Sequence, residues 1–358
     1  MFSRIATFFL TMIILVPCAG ASVHIVPITG TIDGGLAAFV DRAIEEAELD
    51  HADAVIFHID TPGGRIDSAV SIKDAILKSR VTTIAFVDKN AISAGALISI
   101  ACDSLYMSTG SSIGAATAVD LEGKKASEKV ISYFRAQMRA TAEATGRRGD
   151  IAEAMVDEEL VVEGISDEGM LLTLTYTEAV DTEMTEGIYE SIDDVIAQVA
   201  GSDVKVIDVR VNWAENIVRL LTHPVISSLL MSAGFLGLLI EIRTPGWGIG
   251  GTIGLIALTL FLGSHYIIPL ASLGELLLFA VGIILLTLEV FVIPGFGFSG
   301  LGGIGLIFVS LYLSLVGKMP GTNDFLNATY TMSGALLISL FSGALAVKLC
   351  RKRRCTVS

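Results

Sequence analysis

The stretch Ala91-Ile92-Ser93-Ala94-Gly95-Ala96 lies between an apolar run, Val81–Val87, and a run of small residues, Ala94–Cys102. The first run predicts a β-strand, the second predicts a helix, and Asp88-Lys89-Asn90 is expected as a short polar turn. Ser93 would then expose its hydroxyl beside the first N–H groups of a helix, which suits a nucleophile next to an oxyanion hole. Taken alone, the same pattern is typical of a helix N-cap, so its meaning depends on the rest of the chain.

Predicted strands and helices alternate around this stretch. Further strands are expected at His24–Thr29, Ala54–Ile59 and Ser104–Met107, and helices at Leu36–Leu49, Ile66–Ser79 and Glu128–Thr145. Repeated βα units with short connections predict an α/β domain with parallel strands. A glycine-containing turn is expected at 111–116, and a polar loop or lid at Asp120–Lys129.

Composition divides the 358-residue chain into two halves. The net charge of −14 resides mainly in the first half, so no basic surface is available for nucleic acid. The N-terminus resembles a secretory signal at 1–21, with Arg4 before the apolar run Ile5–Val16 and cleavage expected after Ala21. A lipoprotein at Cys18 and an uncleaved anchor are the alternatives. In each case the acidic domain, 22–212, is placed outside the cytoplasm.

The second half, 213–350, is expected to be an all-α polytopic membrane domain. About five spans are predicted, at Val225–Ile242, Gly250–Ile267, Leu273–Val292, Leu301–Val316 and Gly334–Leu349. Five crossings place the basic tail, 351–358, in the cytoplasm, in agreement with the positive-inside rule. The chain is therefore predicted to be a multi-pass protein of a bacterial-type inner or plasma membrane. The lipid bilayer is one of its expected partners.

The membrane half contains an internal repeat. Residues Thr244–Gly251 resemble Ile293–Gly300, and each stretch holds a Pro-Gly-aromatic-Gly turn after an apolar segment with one glutamate, Glu241 or Glu289. These glutamates are either intramembrane carboxylates of the transport type or residues at span ends close to water.

A second glycine-rich turn, Gly63-Gly64, follows the strand that precedes Val81–Val87 in the chain. If the two strands are neighbours in the sheet, both turns open at the same edge. Backbone N–H groups of Gly64 and Ala94 could then face a carbonyl oxygen attacked by Ser93. The alternative for Gly63-Gly64 is an ordinary β-turn after Pro62.

Four motifs in this order resemble the NfeD family of membrane-bound serine proteases of the Clp class, which are related to signal peptide peptidase A. They are Asp60-Thr61-Pro62-Gly63-Gly64, Ser93-Ala94-Gly95, Ser112-Ile113-Gly114-Ala115 and the Pro-Gly-aromatic-Gly turns. The resemblance implies a Clp/crotonase-like spiral βα domain followed by the membrane domain. It also implies Ser93 as nucleophile, oxyanion donors at Gly64 and Ala94, and a lysine as general base. Stomatin- or prohibitin-type membrane proteins are the implied substrates or partners, and a homo-oligomer is expected.

The position of the general base departs from the family pattern. Arg139 occupies the position where the resemblance places the lysine, and arginine keeps its proton. The i, i+4, i+8 spacing of Arg135, Arg139 and Glu143 is typical of an ion-pair ladder. The alternative is that Arg139, with Gly63, helps to bind substrate.

Other bases within the predicted lid are Lys124, Lys125 and Lys129, although a solvated loop does little to lower the pKa of a lysine. No cofactor or metal is expected. Two functions therefore remain open. One is a membrane-anchored serine endopeptidase that cuts apolar segments, and the other is a pseudoprotease that organises stomatin-like partners. Acyl-CoA chemistry on the same oxyanion hole is disfavoured by the secretory signal.

Overall fold

The computed structural model describes residues 22–119, 124–167, 169–201, 204–243, 248–267, 272–291, 297–316, 325 and 328–341. The predicted signal segment, the first part of the predicted lid, the core of each Pro-Gly turn, the end of the last predicted span and the basic tail lie outside these residues.

Strands and helices alternate in the N-terminal region, as predicted. Its strands are β1 (Ser22–Thr29), β2 (Ala54–Thr61), β3 (Thr82–Ile92), β4 (Ser104–Met107), β5 (Ser112–Gly114), β6 (Thr173–Thr175), β7 (Gly187–Ile188) and β8 (Lys205–Asp208). Its helices are α1 (Gly34–Leu49), α2 (Ile66–Lys78), α3 (Ala94–Ile100), α4 (Glu128–Ala144), α5 (Gly149–Ala154), α6 (Tyr176–Asp181), α7 (Ile192–Ala200) and α8 (Trp213–Thr222).

One sheet joins all these strands. The main path runs β6-β5-β3-β2-β1-β8, while β4 pairs with β3 and β7 pairs with β4. Every pairing is parallel except that between β5 and β6. The predicted α/β class is therefore confirmed, and β2 and β3 are neighbours, so the turns that follow them open at the same edge of the sheet.

Two local predictions are wrong. Asp88, Lys89 and Asn90 do not form a turn but continue β3, whose pairing passes from β4, up to Val87, to β5, from Asn90 onward. Their side chains are partly or fully exposed, so polar residues are tolerated in the strand. Ser112–Gly114 likewise forms a strand, β5, rather than a turn.

The two faces of the sheet carry different helices. Alternate side chains of β1 and β2, such as Val26 and Phe57, pack with Phe39 and Val40 of α1 in the larger core. On the other face, Val23 and Ile56 pack with Val195 of α7. Helix α1 and helix α7 therefore lie on opposite sides of the sheet.

The C-terminal region is helical. Its helices are α9 (Pro224–Arg243), α10 (Ile249–Ile267), α11 (Leu273–Phe291), α12 (Phe298–Val316) and α13 (Ala328–Phe341). By length and composition, α10 and α12 can each cross a membrane, and the bent pair of α8 and α9 would add a third crossing if it formed one span. Each of the five predicted spans overlaps one of these helices, while the number of crossings and their orientation stay predictions.

The internal repeat corresponds to two similar helix pairs. Near the end of α9, the carboxylate of Glu241 accepts a hydrogen bond from the N–H of Gly251 (2.7 Å) in the first turn of α10. Near the end of α11, Glu289 accepts one from the N–H of Gly300 (3.1 Å) in the first turn of α12. Both glutamates are buried. Each carboxylate thus caps the following helix, satisfying N–H groups that have no partner within that helix.

Candidate active site

Ser93 is the single residue between β3 and α3. Its backbone has φ 57° and ψ −119°, a conformation that costs a residue other than glycine about 1–3 kcal/mol. The Ser93 N–H donates to the carbonyl of Gly114 in β5 (2.8 Å), and its carbonyl accepts from Ala96 (2.9 Å). The side chain is half-buried, and its hydroxyl forms no hydrogen bond with the residues that the structure describes. A strained strand-to-helix turn that presents a serine hydroxyl is a common way of exposing a nucleophile.

Gly63 lies against Ser93. A β-carbon built on Gly63 would be 2.6 Å from Cβ of Ser93, closer than such atoms approach, and 3.1 Å from its Oγ, which is a tight contact. Gly63 also has φ +100°, which favours glycine. The sequence-predicted meeting of the two turns is therefore present at the carboxyl end of β2 and β3.

Gly64 is held by the segment between β1 and α1. Ile32 donates its N–H to the carbonyl of Gly63 (2.9 Å) and accepts from the N–H of Arg65 (2.9 Å), so Gly64 forms a parallel bridge with Ile32. In such a bridge the N–H of the central residue points away from its partner strand. Gly64 is exposed, and its own N–H takes no part in the bridge to Ile32. Ala94 is the first residue of α3, so its N–H has no acceptor within the helix.

Thr61 contacts both the Gly63 turn and the helix that follows Ser93, a role that was not predicted from the sequence. Its Oγ1 accepts from the N–H of Gly63 (3.0 Å) and donates to the carbonyl of Gly30 (2.6 Å). Its methyl carbon would lie only 2.5 Å from a β-carbon on Gly95 in α3. Thr61 belongs to the motif Asp60-Thr61-Pro62-Gly63-Gly64, and its place just before Gly63 was the only feature of the sequence that could have indicated this role.

Arg139 forms ion pairs with two carboxylates. Its guanidinium contacts Glu143 on the same helix (2.8 Å) and Glu153 on α5 (3.0 Å), and 54% of its side chain is exposed. The hydrogen bond that Arg139 donates to Glu143, together with the charge of Glu153, raises the pKa of Arg139 above its ordinary value. The structure thus places Arg139 in an ion-pair cluster, and Arg135 pairs both with Glu128 of the same helix (4.0 Å) and with Asp157 on another segment.

The lysines of the predicted lid are exposed. Lys125 contacts Glu158 (3.0 Å), and this hydrogen bond raises the pKa of Lys125, the opposite of what a general base requires. Lys124 and Lys129 are exposed as well. The more buried Lys73 of α2 was not singled out from the sequence. Its ammonium lies 3.0 Å from the side-chain oxygen of Gln137 and 2.6 Å from Asp74.

Known protein families match both regions of the chain. A model of the NfeD1b N-terminal domain matches residues 22–209, and a model of the NfeD integral membrane domain matches residues 225–348. The chain is 37% identical over 294 residues to membrane protein NfeD1b of Bacillus subtilis (strain 168), covering 82% of this chain and 67% of that protein. It is 28% identical over 262 residues to the membrane-bound protease PH1510 of Pyrococcus horikoshii, covering 66% of this chain and 57% of that protein.

A solved structure also matches the N-terminal region. It is the 1510-N membrane protease specific for a stomatin homolog from Pyrococcus horikoshii, with 25% identity and a TM-score of 0.46 over 57% of this chain and 99% of that one. The chain thus spans about two thirds of the Bacillus relative and just over half of the Pyrococcus relative. Since the NfeD1b N-terminal model covers more than half of the chain and the membrane model covers most of the remainder, this membrane protein belongs to the NfeD1b family.

Proposed function

We propose that this protein is a membrane-anchored serine endopeptidase in which Ser93 is the nucleophile. The observation that carries the proposal is the contact between the strained Ser93 turn and the Gly63-Gly64 turn. A relative whose name describes a membrane-bound protease supports the same reaction class.

In the proposed reaction, Oγ of Ser93 attacks the carbonyl carbon of a peptide bond while a base takes the hydroxyl proton. The N–H groups of Gly64 and Ala94 hold the resulting oxyanion, and each such donor is typically worth about 3 kcal/mol of barrier. The C–N bond then breaks, the base gives its proton to the leaving amine, and water later hydrolyses the acyl-enzyme. Gly63 leaves room for the substrate backbone beside Ser93.

The proposed base is a lysine of the predicted lid, which ends in the first turn of α4. Lys124, Lys125 and Lys129 remain the candidates, and closure of this segment over a bound peptide would bury the ammonium and lower its pKa. For Lys125, closure must also break the contact with Glu158. Arg139 cannot serve, but it could pair with a substrate carboxylate.

The proposed substrates are apolar segments of stomatin- or prohibitin-type membrane proteins, because solved relatives are described as specific for a stomatin homolog. We retain a boundary near residue 212, with the N-terminal domain outside the cytoplasm and the C-terminus inside it. A homo-oligomer is expected in the membrane.

The test is peptide cleavage by the full-length protein in lipid nanodiscs. An apolar peptide library should be cut by the wild type and by Ser71→Ala, which alters an exposed serine of α2 that forms no hydrogen bond with described residues. Ser93→Ala should leave only background cleavage. Equal cleavage by the wild type and Ser93→Ala would overturn the proposal.

A second candidate, favoured by the paired Arg139 at the position of the family lysine, is a pseudoprotease that binds stomatin-like proteins. In that case the wild type cuts nothing, while the wild type and Ser93→Ala both retain a stomatin-type protein during purification from membranes. Cleavage that depends on Ser93 would exclude it.

A further inference from the structure

Helix α8 joins the two regions of the chain and has two unlike faces. Trp213, Ile217 and Leu220 follow the i, i+4, i+7 spacing of one helical stripe. Their exposed fractions are 77%, 45% and 57%. The charged residues, Glu215 and Arg219, lie on the other side of the helix. These three large apolar side chains therefore form a solvent-exposed stripe along α8.

Two ion pairs attach the polar face of α8 to α1. Glu215 accepts from Nε (2.5 Å) and Nη2 (3.0 Å) of Arg42, and only 12% of the Glu215 side chain is exposed. The hydrogen bonds that Arg42 donates to Glu215 raise the pKa of Arg42 above its ordinary value. Arg219 contacts Asp33, the N-cap of α1, at 3.1 Å. Because these contacts are one helical turn apart, they fix the rotation of α8 about its axis and direct the apolar stripe away from α1.

The position of α8 relative to the membrane follows from the next helix. Helix α9 begins at Pro224, immediately after α8, and belongs to the segment that matches the NfeD integral membrane domain. The axes of the two helices differ by 71°. If α9 runs near the membrane normal, α8 lies close to the membrane plane, at the depth where the chain enters the bilayer. Tryptophan is enriched at that depth because its ring is both apolar and polar.

The charges of α8 indicate which lipid surface it fits. The apolar stripe has no lysine or arginine, and the guanidinium of Arg219 is paired with Asp33. Attraction to anionic headgroups therefore contributes little, whereas burial of apolar area favours insertion of the stripe into any lipid interface.

We propose that α8 is an interfacial helix whose stripe of Trp213, Ile217 and Leu220 inserts into the headgroup–acyl boundary of a zwitterionic lipid surface. The ion pairs with Arg42 and Asp33 then hold the N-terminal domain in a fixed orientation on the bilayer. Asp33 is next to Ile32, whose N–H donates to the carbonyl of Gly63. One ion pair and one hydrogen bond thus connect the lipid-bound helix to the turn beside Ser93, and the proposal holds whether or not Ser93 is a nucleophile.

Fluorescence of Trp213 tests the depth of α8 in the full-length protein. The chain has two tryptophans, so Trp247→Phe leaves Trp213 as the only one. The variant is reconstituted into phosphatidylcholine bilayers with bromine atoms either near the headgroup end or near the terminal end of the acyl chains. Bromines near the headgroup should quench Trp213 strongly and those near the chain end only weakly, with little change on adding salt or anionic lipid.

A matched control places the only tryptophan on the opposite side of the sheet, in Val199→Trp with Trp213→Phe and Trp247→Phe. Val199 lies on α7 and is 37% exposed. This tryptophan should be quenched by aqueous iodide and not by brominated lipid. The proposal is overturned if Trp213 behaves like this control. It is also overturned if both quenchers fail to reach Trp213, since a second copy of the chain would then cover the stripe.

Discussion

Gly63 and Ser93 are so close that a side chain at position 63 would displace the serine. A β-carbon on Gly63 would lie 2.6 Å from Cβ of Ser93 and 2.9 Å from the carbonyl oxygen of Ile92. Ser93 can therefore occupy its position between β3 and α3 only because residue 63 is a glycine.

Gly63→Ala is expected to abolish cleavage by the full-length protein, because the new methyl group must move Ser93 away from the Gly64 N–H. The positive φ of Gly63 adds a strain of about 1–2 kcal/mol. Gly110→Ala is the matched control, because Gly110 has φ +86° and no atom within 4 Å of its built β-carbon. Both variants carry the strain of a positive φ, but only Gly63→Ala adds a steric clash, so it should lose more stability in thermal unfolding and only it should lose activity at a temperature where both are folded. Equal activity in the two variants would contradict this account of the Gly63–Ser93 contact.

Arg147 is expected to stabilise the helix that follows Ser93. Its buried guanidinium donates to the carbonyls of Ile100 (3.3 Å) and Cys102 (2.8 Å) at the end of α3, and to Glu186 (2.7 Å). Arg147→Met removes these hydrogen bonds, although the Ile100 carbonyl still accepts from the hydroxyl of Thr145 and Glu186 from the N–H of Leu105, and should lower the free energy of unfolding by about 3 kcal/mol.

The adjacent Arg148 provides the control for that measurement. Its side chain is 47% exposed and pairs with Asp150. Arg148→Met should change the free energy of unfolding by about 0.5 kcal/mol or less. Chemical unfolding measures the loss of free energy of unfolding in both variants. If Arg147→Met and Arg148→Met lose the same amount, the buried contacts of Arg147 contribute little.

Cys102 is expected to resist alkylation in the folded protein. It is fully buried at the end of α3, and this burial raises the pKa of its thiol far above the ordinary value. Because the thiolate is the reactive form, iodoacetamide should modify Cys102 only after denaturation. Peptide mass spectrometry of native and denatured samples measures this difference, and rapid modification in the native state would contradict the burial of Cys102.

Glu178 should make stability depend on pH in the acid range. The backbone N–H and hydroxyl of Thr175 donate to its carboxylate in a capping box, and they lower the pKa of Glu178 below its ordinary value. A lowered folded-state pKa means that the stabilisation is present above the unfolded pKa and is lost as pH falls through the folded pKa.

The free energy of unfolding of the wild type should therefore exceed that of Glu178→Ala by about 0.5 kcal/mol at neutral pH, since the carboxylate is exposed, and the difference should shrink below about pH 4. Asp181→Ala is the control, because Asp181 is exposed on the same helix and pairs with no described residue. Unfolding curves from acid to neutral pH measure the difference. A gap between wild type and Glu178→Ala that is constant with pH would contradict the role of the carboxylate.

Local pattern predicted much of the fold. Apolar runs located β1, β2 and the first part of β3, and helical spacing located α4 to within one residue at its C-terminal end. The continuation of β3 through Asp88–Asn90 was missed because it depends on β5, a partner more than twenty residues away. Periodicity within a segment carries no information about such pairing.

The parts of the candidate site that local motifs mark were predicted from the sequence. Contacts between residues that are far apart in the chain were missed. Gly63 and Ser93 were paired correctly because consecutive strands in a parallel βα unit are neighbours. The contacts of Arg139 with Glu153 and of Lys125 with Glu158 join segments 14 and 33 residues apart in the chain. Spacing within one helix could not reveal them.

The most direct test of the central claim is covalent labelling of Ser93. The full-length protein in nanodiscs is treated with a fluorophosphonate, which phosphonylates activated serine hydroxyls, and the adduct is located by peptide mass spectrometry. We expect an adduct on Ser93 in the wild type and in Ser71→Ala, and none in Ser93→Ala. A folded wild-type protein with no adduct on Ser93, or with labelling that Ser93→Ala does not reduce, would contradict the assignment of Ser93 as the nucleophile.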